Sequence, residues 1–290
     1  MLKIGVSSVS ESIIDEYLSS VKKAGIDNIE ISYGNYKFFN DFDYKNTKKL
    51  SDKYNVNLWS LHLPFSPFEE IDPSSLNHDI RKFTFDTFLN IIKKGTDIGI
   101  DKFIVHPSGE PISDNERQDR LDSSAEFLSR LADKAYEYGA VIAVEDLPRT
   151  CLGNCSGDIL YILKANEKLR VCFDTNHLLQ EKNSDFIKNI GSKIITLHVS
   201  DYDFVNERHW LPGEGDNNWN ELYSTIIESG YNGVWMYELG LNSPCTINRR
   251  QLEYSDFYNN ALEIFSKKTP TSIGKRVENL GFWGPIEDNK

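Results

Sequence analysis

Along this chain, short β-branched or aromatic runs alternate with longer stretches in which apolar residues recur at helical spacing. Eight runs read as strands: KIGVSS from Lys3, NIEIS from Asn28, LWSLHLPF from Leu58, DKFIVHPSG from Asp101, AVIAVED from Ala140, RVCFDTNH from Arg170, IITLHVSD from Ile194 and GVWMYELG from Gly233. The stretches between them read as helices, among them SESIIDEYLSSVKKAG from Ser10, IRKFTFDTFLNIIKKGTDIG from Ile80 and SSAEFLSRLADKAYEYG from Ser123. Gly25, Gly99, Gly139 and Gly230 stand just before the next strand, where a left-handed residue closes a helix. Alternation of this kind predicts a parallel sheet. Eight repeats, with strands apolar on both faces, predict an α/β protein of the (β/α)8 TIM barrel class, a single domain over residues 1–268. No GxGxxG follows the first strand, so a dinucleotide-binding sheet loses its main support. Residues 269–290 form a C-terminal extension whose GFWGP string is suited to packing across the barrel or onto a second copy of the chain.

Composition narrows the choice of partner. The formal net charge of -12 argues against a protein whose affinity rests on neutralising nucleic-acid phosphates, and favours small polar substrates. The opening MLKIGVSS has no basic segment followed by an apolar one, and no run is long enough to span a bilayer, so a cytoplasmic protein is expected. Four cysteines in 290 residues are too few for a disulfide framework. Cys151 and Cys155 have the spacing of a zinc half-site but no second pair to complete it.

The chemistry collects at strand ends. His62, His106, Glu145, Asp174, His198 and Glu238 close six successive apolar runs, and a parallel barrel brings such ends to one mouth. A carboxylate after a buried strand must be paired or bind a cation. Any one of them alone reads equally well as a salt-bridged barrel residue, but four in succession do not. Glu145, Asp174, His198 and Glu238 together offer three oxygen ligands and one imidazole, a set for one divalent metal ion, Mn2+, Mg2+, Co2+ or Zn2+. Removing a proton beside a carbonyl needs a base on the correct face and a cation to stabilise the enediolate, and Glu145 and Glu238 could flank a carbonyl substrate as that acid/base pair. Return of the proton to the same carbon is epimerisation; return to its neighbour is isomerisation.

In the order SLHLPF, FIVHPSGE, VEDLP, CFDTNH, LHVSDYD, RHWLPGEG and YELG, the chain resembles the xylose isomerase-like TIM barrel superfamily from about the third strand to the eighth. That superfamily groups sugar and sugar-phosphate isomerases and epimerases, inosose-processing enzymes and endonuclease IV. Resemblance to its ketose 3-epimerase branch implies that Glu145, Asp174, His198 and Glu238 hold the metal and that the two glutamates move protons. It implies substrate contacts from His177, in an Asp-x-x-His pattern, from Arg208 and His209 of the RHWLPGEG stretch, and from His62 and His106. The long polar loop from Tyr202 to Asn218 would cover the substrate. Trp59, Trp210 and Tyr33 are lesser candidates for aromatic walls, since such residues are more often core, and Glu30 is a lesser candidate for a hydroxyl acceptor. His78, in a helical polar context, reads as structural.

The alternative is the endonuclease IV branch, a trinuclear zinc phosphodiesterase. Its ligands align by type with the core four and with His62, His106, His177 and His209, while Glu207 stands where that branch has an aspartate. The acidic charge and the absence of a tyrosine-leucine wedge in HLPF weigh against it.

Overall fold

Residues 1–9 and 11–286 are described by a computed structural model of the chain. Eight strands alternate with helices: β1 Lys3–Ser7, β2 Asn28–Ser32, β3 Asn57–His62, β4 Lys102–Val105, β5 Val141–Glu145, β6 Arg170–Asp174, β7 Ile194–His198 and β8 Val234–Tyr237. The pairing is parallel and runs in sequence from β1 to β7, with β8 against β1. Closure comes at Val199, whose N–H donates to Met236 O at 2.8 Å while its carbonyl accepts from the Glu238 N–H at 3.1 Å. The expected (β/α)8 barrel is therefore present.

Helix positions follow their apolar spacing. In α4, Arg117–Glu137, the buried residues Leu121, Ala125, Leu128, Leu131, Ala132 and Ala135 recur every three or four positions and face the sheet. Burying each leucine contributes about 1.5–3 kcal/mol. All four helix-closing glycines adopt positive φ, from 76° at Gly139 to 91° at Gly99. The first helix starts later than the pattern suggests, as α1 Asp15–Lys23, because Ile14 is extended at φ -115°, ψ 172°. Ser10, the expected start, and residues 287–290 of the extension lie outside the described residues. Among the described residues no helix is long and apolar enough to cross a membrane.

Two register shifts were not legible in the sequence. Between β2 and β3, Ile29 pairs with Leu58 but Glu30 with Ser60, so Trp59 is an extra residue. Between β6 and β7, Val171 pairs with Ile194 but Cys172 with Thr196, which brings Asp174 opposite His198. Such bulges re-aim side chains near active sites.

The segment after β7 is held by one carboxylate. Asp201 accepts from the backbone N–H groups of Gly213, Gly215, Asn217 and Tyr202 and from the Trp219 indole. The C-terminal extension crosses this loop: β10 Lys275–Arg276 pairs antiparallel with β9 Ile247–Asn248, and the carbonyls of Gly281 and Phe282 accept from Arg208.

Candidate active site

The strand pattern delivers its residues to one place. His62, Glu145, Asp174 and His198 are the last residues of β3, β5, β6 and β7, and His106 and Glu238 directly follow β4 and β8. Above them opens a cavity of about 430 Å³, lined by His62, His106, Glu145, His177, Glu207, His209 and Glu238 together with Arg149, Glu110 and Phe65. Asp174 and His198 sit beneath, fully buried.

Glu145 is the hub of the floor. Its Oε1 lies 2.7 Å from His198 Nδ1, and its Oε2 lies 3.0 Å from His62 Nε2 and 3.2 Å from His106 Nε2. His198 Nδ1 is also 3.3 Å from Glu238 Oε2 and 4.0 Å from Asp174 Oδ2. One ligand atom from each of Glu145, Asp174, His198 and Glu238 therefore falls within 4.8 Å of the others. Asp174 Oδ1 accepts from the Asn176 N–H at 2.6 Å, but Oδ2 is buried with no hydrogen-bond partner among the described residues. An orphaned carboxylate oxygen facing two other carboxylates and an imidazole is costly unless a cation sits among them. The donor set fits a divalent ion.

The two glutamates have opposite environments. Burial would raise the Glu145 carboxyl, yet His198, His106 and His62 around it hold it well below the ordinary range. Glu238 is pushed well above, by burial first and then, against the pull of His198, by the charges of Glu145, Asp174 and Glu30. Burial outweighs Glu145 at His106 and lowers that imidazole to about 4, so it is neutral near pH 7.

Nearer solvent, His177, Glu207 and His209 form a second group with ligand atoms within 4.8 Å. His177 Nε2 is 3.4 Å from Glu207 Oε2, and its Nδ1 is 2.7 Å from the Asp146 carbonyl. His209 Nδ1 is 3.2 Å from the Glu238 carbonyl. Despite burial, the carboxylates of Asp174, Glu145, Glu207 and Asp146 raise His177 to about 9.

Several expectations need correction. Arg208 does not face the cavity; its guanidinium donates to Asp203 and to the carbonyls of Phe282 and Gly281. The cation at the rim is Arg149, which no sequence pattern singled out. It donates to both oxygens of Glu110 at 2.8 and 2.7 Å and to Glu207 at 2.7 Å, and its guanidinium carbon lies over the Trp283 ring, 5.4 Å from the centroid. Trp210 is buried with its indole on Thr246, Tyr33 donates to the Glu11 carbonyl, and Trp59 reaches Thr196 inside the barrel, so none forms a cavity wall. Glu30 lies below the floor, bonded to His198 and Ser60.

Known proteins resemble the chain in sequence and fold. An uncharacterized protein of Methanocaldococcus jannaschii is 29% identical over 245 residues, 80% of this chain and 82% of its own. The D-psicose 3-epimerase of Ruminiclostridium cellulolyticum is 25% identical over 262 residues, 85% of each chain. Among solved structures, a D-tagatose 3-epimerase-like protein superposes with a TM-score of 0.78 at 26% identity, covering 91% of this chain and 97% of that one. With residues 18–253 matching the family model, the chain belongs to the xylose isomerase-like TIM barrel family.

Proposed function

We propose that the chain is a divalent-metal-dependent isomerase or epimerase of a sugar, sugar phosphate or inosose, with Glu145 and Glu238 as its acid/base pair. One observation carries the reading. Two glutamates from β5 and β8 meet at the cavity floor around one imidazole, and their surroundings push their proton affinities in opposite directions. On the metal-free floor, separation of that kind favours Glu145 as the base and Glu238 as its counterpart. The relatives named for ketose 3-epimerisation support the same class.

Glu145, Asp174, His198 and Glu238 would hold the metal, which when bound supplies polarisation of the substrate carbonyl and stabilises the charge that develops on it. Glu145, kept ionised by its three histidines, takes a proton from the carbon beside that carbonyl. Glu238, directly after β8, would return a proton to that carbon from the other side. His62 and the neutral His106 orient hydroxyls on the floor, and His177 and His209 do so at the rim. The loop from Tyr202 to Asn218, fastened by Asp201, keeps bulk water from the reacting carbon.

The test is solvent deuterium incorporation over a panel of ketoses, their phosphates and inososes. One member should exchange, and Glu145→Gln and Glu238→Gln should each slow that exchange by about a hundredfold or more. Wild-type rates in either variant would sink the proton-transfer assignment.

A second reading, a trinuclear zinc phosphodiesterase of the endonuclease IV kind, is favoured by the grouping of His177, Glu207 and His209 and of His62 with Glu145 and His198. Arg149 already neutralises Glu207, and the chain carries a net charge of -12, both of which count against it. About three zinc ions per chain together with incision of an abasic duplex would decide for it.

A further inference from the structure

Glu30 is a buried carboxylate that the mechanism above leaves unused. Glu30, on β2, is fully buried, lies outside the cavity and spends both oxygens on neighbours. Oε1 is 2.9 Å from His198 Nε2, and Oε2 accepts from Ser60 Oγ at 2.7 Å. His198 therefore has two distinct edges. Its Nδ1 edge faces Glu145, Glu238 and Asp174, and its Nε2 edge rests on Glu30.

The contact with Ser60 depends on the β3 bulge. Regular register would leave Trp59 opposite Glu30, but the shift puts Ser60 there. Trp59 then turns its indole N–H onto Thr196 Oγ1 at 3.2 Å, two residues before His198 on β7. One irregularity in β3 thus ties β7 at two successive inward positions, at Thr196 directly and at His198 through the Ser60–Glu30 pair.

We infer that Glu30 is a positioning residue that, braced by Ser60, holds His198 by Nε2 so that Nδ1 is presented to the Glu145, Asp174 and Glu238 carboxylates as a metal ligand. The inference rests on the reading of His198 as a ligand. A carboxylate behind a ligating imidazole sets ring orientation and strengthens the donor, and losing such a partner commonly costs tenfold to a hundredfold in metal affinity. A merely structural ion pair would stabilise the fold and leave metal affinity alone.

The two roles separate by titrating the purified, metal-stripped full chain with Mn2+ by calorimetry, with circular dichroism and melting of the same samples. Glu30→Leu, which removes the acceptor, should weaken Mn2+ binding by about ten- to a hundredfold. Glu30→Gln, which keeps one acceptor oxygen, should recover most of that loss. Should Glu30→Leu fail to fold, Ser60→Ala serves in its place: it frees the carboxylate to turn and should weaken Mn2+ about threefold or more. Wild-type Mn2+ affinity in the folded variants overturns the inference, as does a wild-type chain that binds no Mn2+. Weakened Mn2+ binding in a chain that exchanges no sugar would support the inference and refute the sugar chemistry alone.

Discussion

Gly215 offers a sharp test of how the mouth loop is held. A Cβ built there would lie 2.2 Å from Asp201 Oδ1, 2.3 Å from its Cγ and 2.4 Å from the Tyr202 carbonyl oxygen, all far inside van der Waals contact. The obstacle cannot swing away, because Asp201 is the loop's common acceptor and Tyr202 contributes backbone. Gly215→Ala should therefore break the 2.9 Å bond from its own N–H to Asp201 Oδ2. A lost charge-assisted hydrogen bond costs about 1.5–3 kcal/mol, and overpacking adds about 1–3 kcal/mol. Together these predict roughly 2.5–6 kcal/mol, a fall in melting temperature of about 5–12 °C. The damage should reach the cavity, because Glu207 and His209 ride on the same loop. Gly157→Ala is the control: it sits in α5 Ser156–Lys164, and the nearest atom to a Cβ added there is Cys155 Sγ at 3.7 Å. That change should be neutral or stabilising by about 0.5 kcal/mol. Equal melting temperatures for the two variants would refute the account of Asp201 as the loop's anchor.

Metal binding should release protons. Glu238 retains its proton to higher pH than an ordinary carboxyl, so a cation must displace it, and apparent affinity should rise with pH across that raised range. Calorimetric heats that do not change between buffers of different ionisation enthalpy would contradict this. Arg149→Met should leave Glu110 and Glu207 without their cation and Trp283 without its stacking partner. For a partly exposed knot the expected cost is about 1–3 kcal/mol with altered tryptophan emission; denaturant midpoint and spectrum both unchanged would count against it. Arg249→Met strands Glu214 in a pair that is fully buried on both sides, and should cost about 3–5 kcal/mol by chemical denaturation. A loss under about 1 kcal/mol would mean that Leu211, Gly274 and solvent satisfy Glu214 unaided.

The architecture was legible because two periods alternate eight times, and each strand ends where the pattern turns polar. His62, Glu145, Asp174 and His198 could be placed for a physical reason: the last residue of a barrel strand can only face the mouth or the helix layer, and a charge among helices would stay unpaired. The bulges were hidden. Trp59 and Ser60 are ordinary strand residues, and only the paired strand shows that both turn inward. Glu30 was misplaced for the same reason. Its place in NIEIS, near the end of the second strand, suggested a contact with a substrate hydroxyl, while the shifted register sets it beside Ser60 and under His198.

Arg208 and His209 show where reading by motif stops short of reading by geometry. The RHWLPGEG stretch offers both side chains to substrate, but neighbours on a non-helical segment leave the backbone on different sides. His209, at φ 50°, turns to the cavity and the Glu238 carbonyl. Arg208 points away, into Asp203 and the carbonyls of Gly281 and Phe282. A second constraint comes from Asn176, directly before His177, whose Oδ1 accepts from the backbone N–H groups of both Arg208 and His209. The cation that motif reading assigned to the substrate thus clamps the C-terminal extension instead. Through the shared backbone it fixes where His209 meets the cavity, while the charge at the rim comes from Arg149, four residues beyond Glu145 on another loop.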